Sequence, residues 1–269
     1  MKKSLILFLA VIFLTPSLAF SDIFTFRAGL FIPRAQSDLW TIEFDQMTFK
    51  KSQYNTTNLS FAYEYFLTNE VSVVLGVDSY TKKKAGNYSG FIGYTDLYVP
   101  ALDDFLDFAF PDDYINQDFL PAHVFNVSIT PIQLSVKLTP TGRKGRFIPY
   151  VGGGVGLYLW NVRISGDFID FDDEWYYNEI TGEIHDDNPV AGEDISIYHD
   201  LYGDWWESNR IAFGYHAFGG IMVPFTKRMT FEAEFKYNHA QGELKEAFQG
   251  FEAFDLNAYQ ISLGLNYWF

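Results

Sequence analysis

Carboxylates at Asp170, Asp172 and Glu174 recur at every second residue, the spacing by which a calcium loop presents hard oxygen ligands to one ion. Trp175 stands where an EF-hand needs glycine and no glutamate closes the motif, so this is not an EF-hand. Two readings stay open: an irregular divalent site or a solvated acidic loop. The surrounding segment, 167–209, holds 14 of the 34 acidic residues and no Lys or Arg. Its rings, Trp175, Tyr176, Tyr177, Trp205 and Trp206 among them, set aromatic faces beside carboxylates, which suits sugar or cation recognition and equally suits self-packing. Gly152, Gly153, Gly154 and Gly156 do not form a phosphate loop, because no Lys-Ser or Lys-Thr follows and no helix pattern begins there. In a strand they would admit bulky neighbours such as Tyr150, Tyr158 and Trp160. Of the five histidines, His185 and His199 each precede an aspartate inside the acidic segment, where adjacency does not orient an imidazole. No cofactor, metal or catalytic constellation is assigned, and the chain is read as no enzyme.

The elements that carry these residues repeat with period two. Eight strands are predicted, about Ile23–Ile32, Tyr54–Phe66, Val71–Tyr80, His123–Leu138, Phe147–Ser165, Arg210–Val223, Met229–Tyr237 and Tyr259–Phe269. The connections alternate, about 21, 42, 43 and 15 residues on one side and about 4, 8 and 5 on the other. Long loops outside and short turns inside are what an outer-membrane barrel shows. In the fourth strand the apolar parity changes from Phe125, Val127 and Ile129 to Ile132, Leu134 and Val136, so a bulge or kink is expected at Pro131. In the second long loop Leu102, Phe105, Leu106, Ala109 and Phe110, among Asp103, Asp104 and Asp107, have helical spacing and suggest a short amphipathic helix over the barrel mouth.

Alternation alone does not say which face is inside. The second face carries small polar residues with Arg27, Glu64, Asp78, Lys137, Glu232, Glu234 and Lys236, a set that would leave a soluble barrel with an apolar exterior on all eight strands, which water would not tolerate. Turned toward lipid, the apolar face makes a membrane band and the seven charges become lumen residues, three positive against four negative. Lys2 and Lys3 before the apolar run Leu5–Leu14, then small residues to Ala19, read as an export leader over 1–19 cut at Ala19. The mature domain is 20–269, with 17 basic and 34 acidic residues, a poor surface for nucleic acid. There is no cysteine and no run of the roughly 18 apolar residues that a membrane helix needs, so spanning must be by strands.

The segment Phe147-Ile148-Pro149-Tyr150-Val151-Gly152-Gly153-Gly154-Val155-Gly156-Leu157-Tyr158 resembles the strand common in small outer-membrane β-barrels of the OmpA-like superfamily, OmpX-like and OmpW-like proteins included. Ser262, Gly264, Tyr267 and Phe269 are similar to the pattern that barrel-assembly machinery reads in that group. The resemblance implies an all-β fold, an eight-stranded antiparallel transmembrane barrel with long extracellular loops, in the bacterial outer membrane. It implies outer-membrane lipid, lipopolysaccharide and the assembly machinery as partners, with divalent cations or a surface ligand as candidates at the loops. Lipid A deacylases share the architecture, yet their His-x-Ser-Asn arrangement is missing here. The expected role is therefore non-catalytic, envelope structure or surface interaction. A narrow or gated channel for small solutes is the alternative, and an outer-leaflet lipid-modifying enzyme comes third.

Overall fold

A computed structural model describes residues 22–89, 91–99, 103–111, 121–142, 145–178, 181, 183–185, 195–245 and 248–269. The strands are β1 (Ile23–Pro33), β2 (Thr56–Phe66), β3 (Val71–Asn87), β4 (Phe91–Val99), β5 (Asp104–Pro111), β6 (Ala122–Leu138), β7 (Ile148–Asn178), β8 (Ile184–His185), β9 (Ile195–Pro224), β10 (Met229–Gly242), β11 (Phe254–Asp255) and β12 (Ala258–Trp268). Between β1 and β2 lie helix α1 (Asp38–Gln46) and a 3-10 turn (Lys51–Tyr54).

Eight of the strands close a ring, β1–β2–β3–β6–β7–β9–β10–β12 and back to β1, every pair antiparallel. Following paired residues round it, from Ile23 through Glu64, Val74, Ser135, Gly154, His216, Asn238 and Ala258, returns to β1 at Pro33, ten residues farther on. That stagger fixes the strand tilt at about 40° for eight strands. It leaves no free edge in the membrane.

Burial alternates along each ring strand, and its chemistry inverts with height. Along the lower part of β6, Gln133, Ser135 and Lys137 are buried inside while Ile132, Leu134, Val136 and Leu138 face outward. Farther up the same strand Phe125, Val127 and Ile129 are inside, and Asn126, Ser128 and Thr130 look out. The same change crosses β7 between Leu159 and Asn161. Below it the wall has acyl chains outside and a polar lumen within; above it the wall leaves the acyl chains and packs like a soluble barrel. The parity itself never changes. No bulge occurs at Pro131, contrary to the expectation: the β6–β7 register runs unbroken from His123↔Gly166 to Leu138↔Val151. Only the ladder to β3 is interrupted, at Asp78 and Ser79 opposite Pro131 and Thr130, where proline has no N–H to give.

The long connections also depart from the sequence reading. Segment 167–209 is for the most part a paired ribbon, β7 with β9 from Asp167↔Gly203 to Asn178↔Ile195, with an irregularity between Asp170 and Glu174. The helix expected around Phe105 is a strand: β4 and β5 form a hairpin, Val99↔Asp104 to Phe91↔Pro111, which β5 joins to β9 through Phe108 and Ala109. A partner strand rich in Phe, Ile, Tyr, Thr and Val supplies ladder bonds that local periodicity cannot register.

Inward glycines make room for rings and for the neighbouring strand. A Cβ at Gly242 would sit 2.4 Å from the Trp160 ring, and one at Gly154 would sit 2.0 Å from the Leu134 carbonyl oxygen. Backbone cannot step aside as a flexible side chain can, so Gly154→Ala should cost about 1–3 kcal/mol. A lowered urea midpoint in detergent measures it, and an unchanged midpoint would contradict this packing.

Candidate functional site

All seven charged residues singled out in the sequence lie inside the ring and are buried. Arg27 on β1 faces Glu232 and Glu234 on β10 across β12. Its Nε and Nη2 donate to Glu232 Oε1 at 3.0 and 2.8 Å, and Nη2 reaches Glu234 Oε2 at 3.2 Å. Tyr150 from β7 donates to Glu232 and, at 3.1 Å, to Glu234. Lys137 Nζ donates to Glu64 Oε2 at 2.8 Å, and Ser72 donates to the other oxygen of that carboxylate. Lys236 Nζ donates to Asp78 Oδ2 at 2.9 Å and to Gln133 Oε1 at 3.1 Å. Every cation thus meets a carboxylate from another strand. The space among Arg27, Asp78, Gln133, Lys137 and Lys236 is a cavity of about 20 Å³, room for about one water.

Above the charges comes an amide layer, Gln133 donating to Asn238 Oδ1 at 2.7 Å and to the Tyr158 hydroxyl at 3.2 Å. Above that the bore is filled by rings. Phe31 stacks on Tyr80 at 4.2 Å, Trp40 stacks on Phe254 at 5.2 Å, and Trp40 meets Tyr54 and Phe125 edge-on, each at 5.2 Å. Trp40 arrives there on α1, whose first turn is anchored by the neighbouring connection between β10 and β12. Asp38 N donates to Glu252 Oε1 at 2.7 Å, Glu252 N returns a bond to Asp38 Oδ2 at 2.9 Å, and Trp40 Nε1 donates to the Asp255 carbonyl at 3.2 Å. The first of these satisfies an N–H that a helix start leaves without a partner. Tyr54 donates to the Phe125 carbonyl at 3.0 Å, and burial among these rings pushes its phenol up, so it stays a neutral donor.

The other candidates fall as follows. His216 is buried in the lumen, its Nε2 2.7 Å from Ser135 Oγ. His123, enclosed by Phe49, Tyr88 and Phe168, lies 2.6 Å from Glu43 on α1. Sequence reasoning missed that pairing, because nothing in the first connection marked α1. Asp170, Asp172 and Glu174 lie on β7 and its irregular stretch, Asp172 N donating back to Asp170 Oδ1 at 3.1 Å. Among the described residues no three metal-ligating side chains converge. His185 pairs in β8 with Tyr176, and His199 pairs in β9 with Glu174 and Ala109. Ser262 is buried in the lumen wall, Gly264 passes the Arg27 stem, where a Cβ would meet Cγ at 2.9 Å, and Tyr267 and Phe269 face lipid at the lower rim. Ala19 lies outside the described residues.

Phe26, Phe61, Leu134, Val155, Phe213, Phe235 and Leu263 are exposed around the whole lower circumference, a belt no water-soluble monomer presents. This is a small barrel of the outer-membrane type. It is all-β and closed, and it sits in the bacterial outer membrane with its short turns at one rim.

No protein family and no curated relative matches the chain. Among solved structures it is similar to Neisserial surface protein A, at 12% identity over 93% of this chain and 97% of that one, TM-score 0.44. It is also similar to the outer membrane protein OprG of Pseudomonas aeruginosa (14%, 93% and 97%, 0.43) and to the attachment invasion locus protein Ail of Yersinia pestis (10%, 92% and 99%, 0.40, bound to the heparin analogue sucrose octasulfate).

Proposed function

We propose that the protein is a closed, non-catalytic barrel that holds a β-sheet surface outside the cell for interaction with other molecules. The lumen carries this reading: buried ion pairs fill the lower bore and rings fill the upper, so the strands serve as an anchor and the ribbon as the working face. That ribbon and the β4–β5 hairpin joined to it expose Tyr98, Phe105, Ile197 and Tyr202 above the lipid belt. Tyr98 and Phe105 lie ring to ring at 5.3 Å, and clustered exposed apolar groups of this kind mark interaction surfaces. The Ser135 and His216 pair supports no lipid chemistry, because both groups face the lumen and acyl chains lie on the other side of the wall.

In planar bilayers the purified barrel should give no stable unitary current at moderate voltage. Steady single-channel steps would favour the solute-passage alternative. Removing 91–111 together with 167–203 should abolish adhesion to target cells or matrix while the heat-resistant folded band of the barrel is retained on gels. Adhesion that survives this deletion would end the proposal.

A further inference from the structure

On a chain of net charge −15, one flank is basic. Register places Lys83 on β3, Asn126 on β6 and Arg163 on β7 in one outward-facing row. Lys50 and Lys51 are exposed at the start of the 3-10 turn, which meets the inner side of β3 where the Tyr80 hydroxyl donates to the Tyr54 carbonyl at 2.9 Å, so the outward row itself carries two cations. Lys83 and Arg163 are exposed too. Among the described residues none of these four cations has an ion-pair partner. Glu207 ends the row, but its carboxylate accepts from Asn161 Nδ2 at 2.5 Å. The Arg163 guanidinium lies 4.9 Å from the Trp205 ring, which holds it extended over the outer wall.

Height gives the flank its meaning. Outward residues on β7 run Leu157, Leu159, Asn161, Arg163, and on β3 they run Val77, Ser79, Thr81, Lys83. At about 3.3 Å per residue and about 40° of tilt, Arg163 stands roughly 10 Å above the last lipid-facing leucine. That is the headgroup layer of the outer leaflet. Between the belt and the cations come hydroxyls and amides, Thr81 bonded to Ser128 at 3.0 Å and Asn161 beside them, donors suited to sugar and phosphate oxygens.

We infer that the β3–β6–β7 flank is a binding site for a phosphorylated glycolipid headgroup of the outer leaflet, its phosphates held by Lys83 and Arg163. Acyl chains of the same molecule lie against Val77, Ile132 and Leu159 below. A basic patch at this height, with an apolar wall under it, matches an anionic amphiphile and not a free anion.

The test uses the folded full-length barrel in neutral detergent and native mass spectrometry. The probes are diphosphorylated lipid A, the same lipid without phosphates, and inorganic phosphate. The diphosphorylated lipid should bind more tightly than its dephosphorylated form, and each of Lys83→Gln and Arg163→Gln should weaken it about fivefold. Lys227→Gln with Arg228→Gln, at the opposite rim, should leave it unchanged. Equal binding of the two lipids, or full binding by a variant that combines Lys83→Gln with Arg163→Gln, overturns the inference. Competition by inorganic phosphate at equal concentration overturns the lipid as the source. Should a variant fail to fold, the two lipids on the unaltered protein still decide.

Discussion

Arg27→Met should destabilise the barrel by about 3–5 kcal/mol, the usual cost of breaking a buried ion pair by removing one partner. Two carboxylates depend on this guanidinium, Glu232 at 2.8 Å and Glu234 at 3.2 Å. Without it Glu234 keeps Lys236 at 4.0 Å, whereas Glu232 keeps only the Tyr150 hydroxyl among these groups. Neither carboxylate is more than 3% exposed, and the cavity beside them holds about one water. The loss comes from the charge left behind, not from the missing contact. Glu232→Gln added to Arg27→Met should therefore restore part of the stability. Urea unfolding in phospholipid vesicles, followed by tryptophan fluorescence, reads both variants. A single variant as stable as the parent, or a double one worse than the single, would contradict this account of the lumen. Current should stay absent in Arg27→Met, because the ring-filled bore above it is untouched.

The lumen was readable from sequence because lipid and enclosed water impose opposite polarity on alternate residues. Arg27, Glu64, Asp78 and Lys236 stand out against Phe26, Tyr63, Val77 and Phe235 for that reason alone. The strands also ended where expected at their lower rims, where Phe66, Leu138 and Pro224 meet short turns. At the upper ends the same rule misled. Phe125 and Val127 look misplaced by one residue if lipid is assumed to surround the whole strand, and they fit once the wall is seen to leave the membrane. Ribbon residues Phe168 and Tyr198 keep period two with protein on one side and water on the other, a pattern with no lipid contrast to reveal it. For β4 and β5 the spacing of Phe105, Leu106 and Ala109 served a helix as well as a strand. Only the pairing with Phe91–Val99 separates them, and a single segment does not contain its partner.

Trp40→Ala should cost about 3–5 kcal/mol as well, but the loss should fall on a different part of the molecule. Trp40 is fully buried, stacked on Phe254 and edge-on to Tyr54 and Phe125, so truncation leaves a cavity that three other elements line. It also removes the donor to the Asp255 carbonyl. Together with the Asp38 and Glu252 bonds, this ring ties the first and last upper connections, which are neighbours in the closed ring, to each other. The lower ring does not share those contacts, since its strands are held by ladder bonds and by the ion pairs beneath the amide layer. Limited proteolysis should therefore cut Trp40→Ala within 34–55 and 243–257 faster than the parent, while the heat-resistant barrel band persists. Trp40→Phe keeps one ring in the stack and loses the other with its N–H bond, so its cost should be smaller, about 1–3 kcal/mol. If Trp40→Ala instead loses the folded band as readily as Arg27→Met does, the chamber and the membrane ring unfold as one unit, and the division drawn at Leu159 is structural without being energetic.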